Sequence, residues 1–168
     1  MSLRAFKIIM LLSIGLVLKS CSYSFTGVAL SEGIETVSVE FFPNEAEIII
    51  PSLSQNFTEA LRDRLQRQTR LSLIERNGDI QYSGAIVGYS VDPVTVGQND
   101  RANQSRLSIS VKVNYVNTME TSQSFEKTFN GYEDYDNSQN LNSIQADLIE
   151  TINDRIIQDI FNQSVNNW

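Results

Sequence analysis

From Leu107 to Tyr115 the chain alternates without a fault. Leu107, Ile109, Val111, Val113 and Tyr115 are apolar, and Ser108, Ser110, Lys112 and Asn114 between them are polar. Successive side chains of a β-strand point to opposite faces, so this stretch is a strand with one dry face and one wet face. The dry face needs a cover, and two other segments have the period to supply one. Leu53, Phe57, Ala60, Leu61 and Leu65 fall at i, i+4, i+7, i+8 and i+12, the stripe of a helix ending near Thr69. Glu59, Arg62, Asp63, Arg64 and Arg67 occupy its other face, and Ser52 or Ser54 is placed to cap its start. Ile144, Leu148, Ile152, Ile156, Ile160 and Phe161, joined by Ile149 and Ile157, define a longer helix from about Leu141 to Gln163. Its exposed face is acidic and amide-rich, with Gln145, Asp147, Glu150, Asp154 and Asp159.

The remaining segments read as strands and turns. Thr36 to Phe41 alternates and is broken by Pro43 and Asn44, and Leu71 to Glu75 is a short strand. Arg76-Asn77-Gly78-Asp79 follows, and Asn-Gly between apolar runs signals a hairpin. Ile80 to Val91 is a strand in which Gly84 and Gly88 mark places for a bulge or bend. A polar loop from Asp92 to Gln104 leads into the alternating strand. Asn117 to Ser122 turns the chain back, and Ser124 to Tyr132 forms a partner strand with Phe125 and Phe129 on one face. The order β-α-β-β-β-β-α predicts an α+β two-layer sandwich, a mostly antiparallel four- to five-stranded sheet with two amphipathic helices on one face.

The start of the chain is of another kind. Arg4 and Lys7 precede an apolar run from Ile8 to Leu18, and Ser20 precedes Cys21, the single cysteine among 168 residues. At about 1.5 Å per residue that run covers about half of a ~30 Å hydrocarbon core, too little for a spanning anchor. The layout is that of a bacterial lipoprotein signal: Leu18 at −3, Ser20 at −1, and a thiol that takes lipid after cleavage, with Lys19 at −2 the one unusual residue. The expectation is a signal peptide over 1–20, a lipidated tether over 21–33 and one domain over 34–168. The only prosthetic group expected is the covalent diacylglycerol and palmitate-type acyl on Cys21. More than one acyl chain holds a protein on a bilayer stably, and acylation also removes a free thiol from an oxidising compartment.

Charge excludes several functions. The leader holds three of the 13 basic residues and none of the 20 acids, so the mature chain carries ten cations against twenty acids, net −10. Nucleic acid, whose affinity comes from neutralised phosphates, is not a partner for such a surface, and neither is an anionic lipid surface at large. The chain has no histidine, which rules out a histidine triad, a histidine-ligated metal and imidazole acid–base chemistry. With Cys21 lipidated, no thiol chemistry remains. A non-enzymatic protein is the expectation.

Several stretches together resemble one family. They are Tyr23-Ser24-Phe25-Thr26-Gly27 after the cysteine, Thr36-Val37-Ser38-Val39-Glu40-Phe41-Phe42-Pro43-Asn44, and Leu53-Ser54-Gln55-Asn56-Phe57-Thr58-Glu59-Ala60-Leu61-Arg62-Asp63. Gly84-Ala85-Ile86-Val87-Gly88-Tyr89, Asp159-Ile160-Phe161-Asn162 and the terminal Trp168 complete the set. In this combination the chain is similar to the LptE lipoproteins of lipopolysaccharide assembly, in the version found in Bacteroidota. The resemblance covers nearly all of residues 21–168. It implies a sheet with two helices packed on it. It also implies a non-enzymatic outer-membrane lipoprotein, its domain on the periplasmic side, that plugs or supports the LptD β-barrel in lipopolysaccharide transport to the outer leaflet. Family members elsewhere are linked with basic residues that meet lipid A phosphates, whereas this chain is acidic and offers only Arg70, Arg101, Arg106 and Lys112 near its loops and polar sheet face.

The candidate contact residues are therefore Arg101, Arg106, Ser108, Ser110, Lys112 and Asn114, facing a barrel or lipopolysaccharide, against the plainer reading of a solvated sheet face. Glu133-Asp134-Tyr135-Asp136-Asn137-Ser138 has oxygen ligands at alternate positions, but an EF-hand beginning at Asp134 needs Gly at 139 and an acid at 145, where the chain has Gln139 and Gln145. A solvated turn is expected there. The sequons at Asn56, Asn103 and Asn162 carry no weight in a bacterial chain. A second function class stays open: a periplasmic lipid-binding carrier lipoprotein, which needs an empty apolar cavity of about 300–1,000 Å³ where the plug needs a filled core.

Overall fold

The computed structural model describes residues 33–94 and 104–165. The leader, Cys21, the rest of the tether up to Glu32, Arg101, Asn103 and Trp168 lie outside the described residues. Among the described residues, five strands form one sheet: β1 (Thr36–Val39), β2 (Ser72–Ile74), β3 (Ile80–Val94), β4 (Gln104–Asn117) and β5 (Phe125–Asp136), in the spatial order β2-β1-β3-β4-β5. Two helices, α1 (Leu53–Gln68) and α2 (Leu141–Val165), pack on one face. The architecture is the expected α+β sandwich, and its long strands β3, β4 and β5 are antiparallel.

The core follows from the two periodicities. Leu107, Ile109, Val111 and Val113 are fully buried and Tyr115 nearly so, and above them lie Leu53, Phe57, Leu61 and Leu65 of α1 with Ile152, Ile156, Ile157 and Ile160 of α2, none of them exposed. Helix and strand stripes therefore meet in a filled interior. At its centre the Tyr82 hydroxyl donates to Ser164 Oγ at 2.7 Å, the Tyr115 hydroxyl donates to the Ser164 carbonyl at 3.3 Å, and Ser164 Oγ donates to the Ile160 carbonyl at 2.7 Å. These bonds satisfy two buried phenols and pin the last turn of α2 to the sheet.

Four expectations need correction. Asn77-Gly78 is not a hairpin turn, because β1 lies between β2 and β3 and runs parallel to both. The segment between β2 and β3 instead crosses the backbone of β1: the Gly78 N–H donates to Ser38 Oγ at 3.2 Å, and a Cβ at Gly78 would stand 2.6 Å from the Ser38 nitrogen. Glycine is required there for close approach. Ser52 occupies the N-cap position of α1 without a side-chain cap bond, and Ser54 lies within the helix, where its carbonyl accepts from Thr58 Oγ1 at 2.7 Å.

The two remaining corrections concern strand ends. Pairing of Asp92, Pro93 and Val94 with Arg106, Ser105 and Gln104 extends β3 and β4 into the expected loop. Glu133 to Asp136 belong to β5 rather than to a turn, since β5 pairs with β4 as far as Asp136. The expected irregularity in β3 is present as a register shift between Ile86 and Gly88. Gly84 has φ +153°, and a Cβ there would meet the Lys112 carbonyl oxygen at 2.0 Å.

Candidate functional site: the uncovered polar face

The face of the sheet opposite the helices is built by register. β3, β4 and β5 place Ser83, Asn114 and Glu126 in one row, then Ala85, Lys112 and Thr128, then Gly88, Ser110 and Asn130. Ser90, Ser108 and Tyr132 follow, then Asp92, Arg106 and Asp134, and Val94, Gln104 and Asp136 make the last row. Five of the six residues nominated from sequence, Arg106, Ser108, Ser110, Lys112 and Asn114, thus stand in line on β4, while Arg101 lies outside the described residues. The centre of the face is small and hydroxylated, and longer side chains mark its two ends.

Its two cations are paired within the face. Arg106 grips Asp134 with two bonds, Nε to Oδ1 at 2.7 Å and Nη2 to Oδ2 at 2.9 Å, and its guanidinium lies 3.9 Å from the centroid of the Tyr132 ring. Two parallel charge-assisted bonds fix both orientation and charge. They hold the Asp134 carboxyl below its ordinary value and raise Arg106 above its own. Lys112 Nζ lies 2.9 Å from Glu126 Oε1. With Asp92 and Asp136 added, the rows contain two cations and four acids. The two cations proposed for phosphate contact are thus already engaged by carboxylates.

The neutral groups also bond to one another. Ser110 Oγ donates to Asn130 Oδ1 at 2.7 Å, and Asn114 Nδ2 donates to Ser83 Oγ at 3.3 Å. Tyr132 is half exposed, at 50%. Reasoning from β4 alone missed the contributions of Ser83, Ser90, Glu126, Thr128, Asn130, Tyr132 and Asp134. The alternation Thr128, Asn130, Tyr132, Asp134 around Phe129, Gly131 and Tyr135 was the available signal for the β5 side. The face offers a hydrogen-bonding surface whose cations are both engaged by carboxylates.

A family model for LptE, described as lipopolysaccharide-assembly, matches residues 34–164. The chain belongs to the LptE family. The match spans all five strands and both helices, so the polar face is a feature of an LptE-family domain. Among solved structures, a minor lipoprotein from Acinetobacter baumannii is similar at a TM-score of 0.53 and 14% identity, covering 80% of this chain and 94% of its own. A hypothetical protein from Chlamydia trachomatis is similar at a TM-score of 0.57 and 11% identity, covering 79% of this chain and 96% of its own. At these identities the likeness concerns the fold, and it agrees with the sandwich described above. No curated protein is detectably similar in sequence.

Proposed function

We propose that this LptE-family chain is a non-catalytic, lipid-anchored partner of the LptD β-barrel in lipopolysaccharide assembly at the outer membrane. The observation that carries this reading is the face of β3, β4 and β5 that no described helix covers, whose ion pairs are internal and whose centre is hydroxyls and amides. The lumen of an outer-membrane barrel is polar, while its outside is apolar. A hydrogen-bonding sheet whose cations are already paired matches such a wall through direct and water-mediated bonds. Acylation of Cys21 holds the domain on the periplasmic side of the membrane. Ser108, Ser110 and Asn114 supply contacts to the wall, and Arg106 and Lys112 keep the face rigid through their pairs. Direct contact with lipopolysaccharide falls to Arg101.

The carrier alternative needs empty apolar volume between helices and sheet. That space is occupied by the side chains of Leu61, Leu65, Ile152 and Ile156, which supports the plug reading. The test is affinity purification of the tagged, full-length protein from native membranes. The account predicts recovery of a large β-barrel protein, and a Ser110→Trp variant that folds normally but fails to recover it. Recovery of lipid without a barrel would favour the carrier. In the same membranes Cys21→Ala moves the protein to the soluble fraction; retention of that variant with the outer membrane would remove the anchor from the account.

A further inference from the structure

Among the described residues the sheet is unfinished at its β2 edge. The Ser72 N–H donates to the Glu35 carbonyl at 2.8 Å, so Ser72 and Ile74 face β1 while Leu73 turns its own N–H and C=O away from the sheet. β2 stops at Ile74, opposite Ser38, yet the next strand line continues, with the Glu40 N–H donating to the Tyr82 carbonyl at 2.9 Å. The step this leaves is a groove of about 820 Å³ lined by Val39, Phe41, Arg62, Leu73, Ile74 and Arg76, with Glu40 and Glu75 at its rim. The Val39 carbonyl on its wall accepts from Arg62 Nη2 at 2.7 Å. Phe41 is 57% exposed and Ile74 37%. A second hollow shares Arg62 and Leu73 and prolongs the groove along α1 past Ala60 and Gln66. A groove between a helix and an open sheet edge, with outward main-chain groups and apolar side chains, is what an extended segment fills as an added strand.

The chain carries such a segment next to it. Between Cys21 and Gly33 the sequence is Ser-Tyr-Ser-Phe-Thr-Gly-Val-Ala-Leu-Ser-Glu, with Tyr23 and Phe25 two apart and Val28 and Leu30 two apart. In an extended strand Tyr23 and Phe25 share one face and Val28 and Leu30 the other, just as the consecutive residues Ile74 and Leu73 of β2 face opposite ways. Its C-terminal end is fixed at the foot of the groove, since Gly33 is two residues from Glu35, the partner of Ser72. Strands lie about 4.8 Å apart, so a position outside β2 is roughly 10 Å to the side of β1, and Ile74 and Phe41 are about 10–20 Å further along the sheet. Phe25 precedes Gly33 by eight residues, about 26 Å of extended chain, which is the reach required.

We propose that the tether segment Tyr23–Leu30 docks in this groove as an added strand antiparallel to β2, with Phe25 between Phe41 and Ile74 and with Val28 and Leu30 along Leu73. Docking shortens the free leash between anchor and domain from twelve residues to about two. It turns the Phe41 edge of the domain toward the bilayer and so fixes the direction in which the polar face points. The docking itself does not depend on a barrel partner, and only this orienting effect depends on lipid at Cys21.

The test uses the whole mature chain, residues 21–168, as the Cys21→Ser variant. A Phe25→Cys, Ile74→Cys pair is oxidised beside a Phe25→Cys, Asn130→Cys pair, in which Asn130 lies on the opposite edge strand. A disulfide needs Cα atoms within about 7 Å. The first pair closes within the monomer and the second stays reduced. In parallel, the Leu73 amide exchanges with solvent slowly when the tether is unaltered and at least roughly tenfold faster after Phe25→Asp with Val28→Asp. Equal oxidation of both pairs, failure of the first pair to close, or equal Leu73 exchange in both proteins overturns the proposal.

Discussion

Thr36 and Asp79 hold each other reciprocally: the Thr36 hydroxyl donates to Asp79 Oδ2 at 2.7 Å, and the Asp79 N–H donates to Thr36 Oγ1 at 2.9 Å. The same carboxylate oxygen accepts from the N–H groups of Glu35 at 3.0 Å and Thr36 at 2.9 Å. Residues 43 apart in sequence are thereby joined where the tether enters the sheet. The latch fixes the first residues of β1 against the segment that crosses beneath it.

This latch has a pH signature. Hydrogen bonds from the Thr36 hydroxyl, then from the Glu35 and Thr36 amides, hold the Asp79 carboxyl below its ordinary value of 3.8. A folded value below the unfolded one gives stability that is complete above about pH 4 and is lost as the pH falls further. Asp79→Asn is expected to lower Tm at pH 7 and to flatten the fall of Tm between about pH 5 and 3. Melting curves of the two proteins across that window check it; an identical acid limb in both would show that the carboxylate does not act as described.

The alkaline limb reports on the core. Burial raises Tyr82 far above its ordinary value, and burial pushes Tyr115 up to about 12 from 10.0. In the unfolded chain both phenols ionise near pH 10, so their contribution is complete below that pH and declines as the pH rises through 10 toward 12. Tyr82→Phe is expected to cost about 1–2 kcal/mol at neutral pH by removing the bond to Ser164. Tyr82→Phe combined with Tyr115→Phe is expected to reduce the loss of Tm between about pH 9 and 11. A slope unchanged by the double substitution would contradict the burial of both hydroxyls.

Two glycines separate backbone from packing limits. Gly84→Ala puts a methyl group 2.0 Å from the Lys112 carbonyl oxygen at φ +153°, and the expected cost is about 4 kcal/mol or loss of folding. Gly131→Ala instead meets Ile152 Cγ2 and Ile156 Cγ1 at 2.8 Å, side-chain atoms that can yield, and the expected cost is about 1–3 kcal/mol. Adding Ile156→Ala is expected to cost less in the Gly131→Ala background than in the parent, because it removes the clash. Urea denaturation of the four proteins measures the coupling, and strict additivity would mean that α2 does not rest on β5 at this point.

Much of the fold was legible because its periods are clean. Leu107 to Tyr115 alternates, and each apolar member is buried; the stripes Leu53–Leu65 and Ile144–Phe161 gave both helices to within about two residues. The insertion of β1 between β2 and β3 was not legible. Asn-Gly suits a tight turn locally, whereas the requirement for Gly78 comes from the Ser38 backbone 40 residues earlier. The outer ends of β3, β4 and β5 were read as loops because their residues are polar. They are held by cross-strand pairs such as Arg106 with Asp134 rather than by an apolar side. The polar face was found through β4, but the engagement of its cations depends on register with β5, which places Glu126 beside Lys112.

The most direct test of the central claim is photo-crosslinking in living cells from a residue inserted in place of Ser110, at the centre of the polar face. The account predicts a covalent adduct with the co-purifying β-barrel, stronger than any adduct from the same residue placed at Glu150 on the exposed side of α2. A protein that co-purifies with the barrel yet gives no adduct from Ser110 would contradict it.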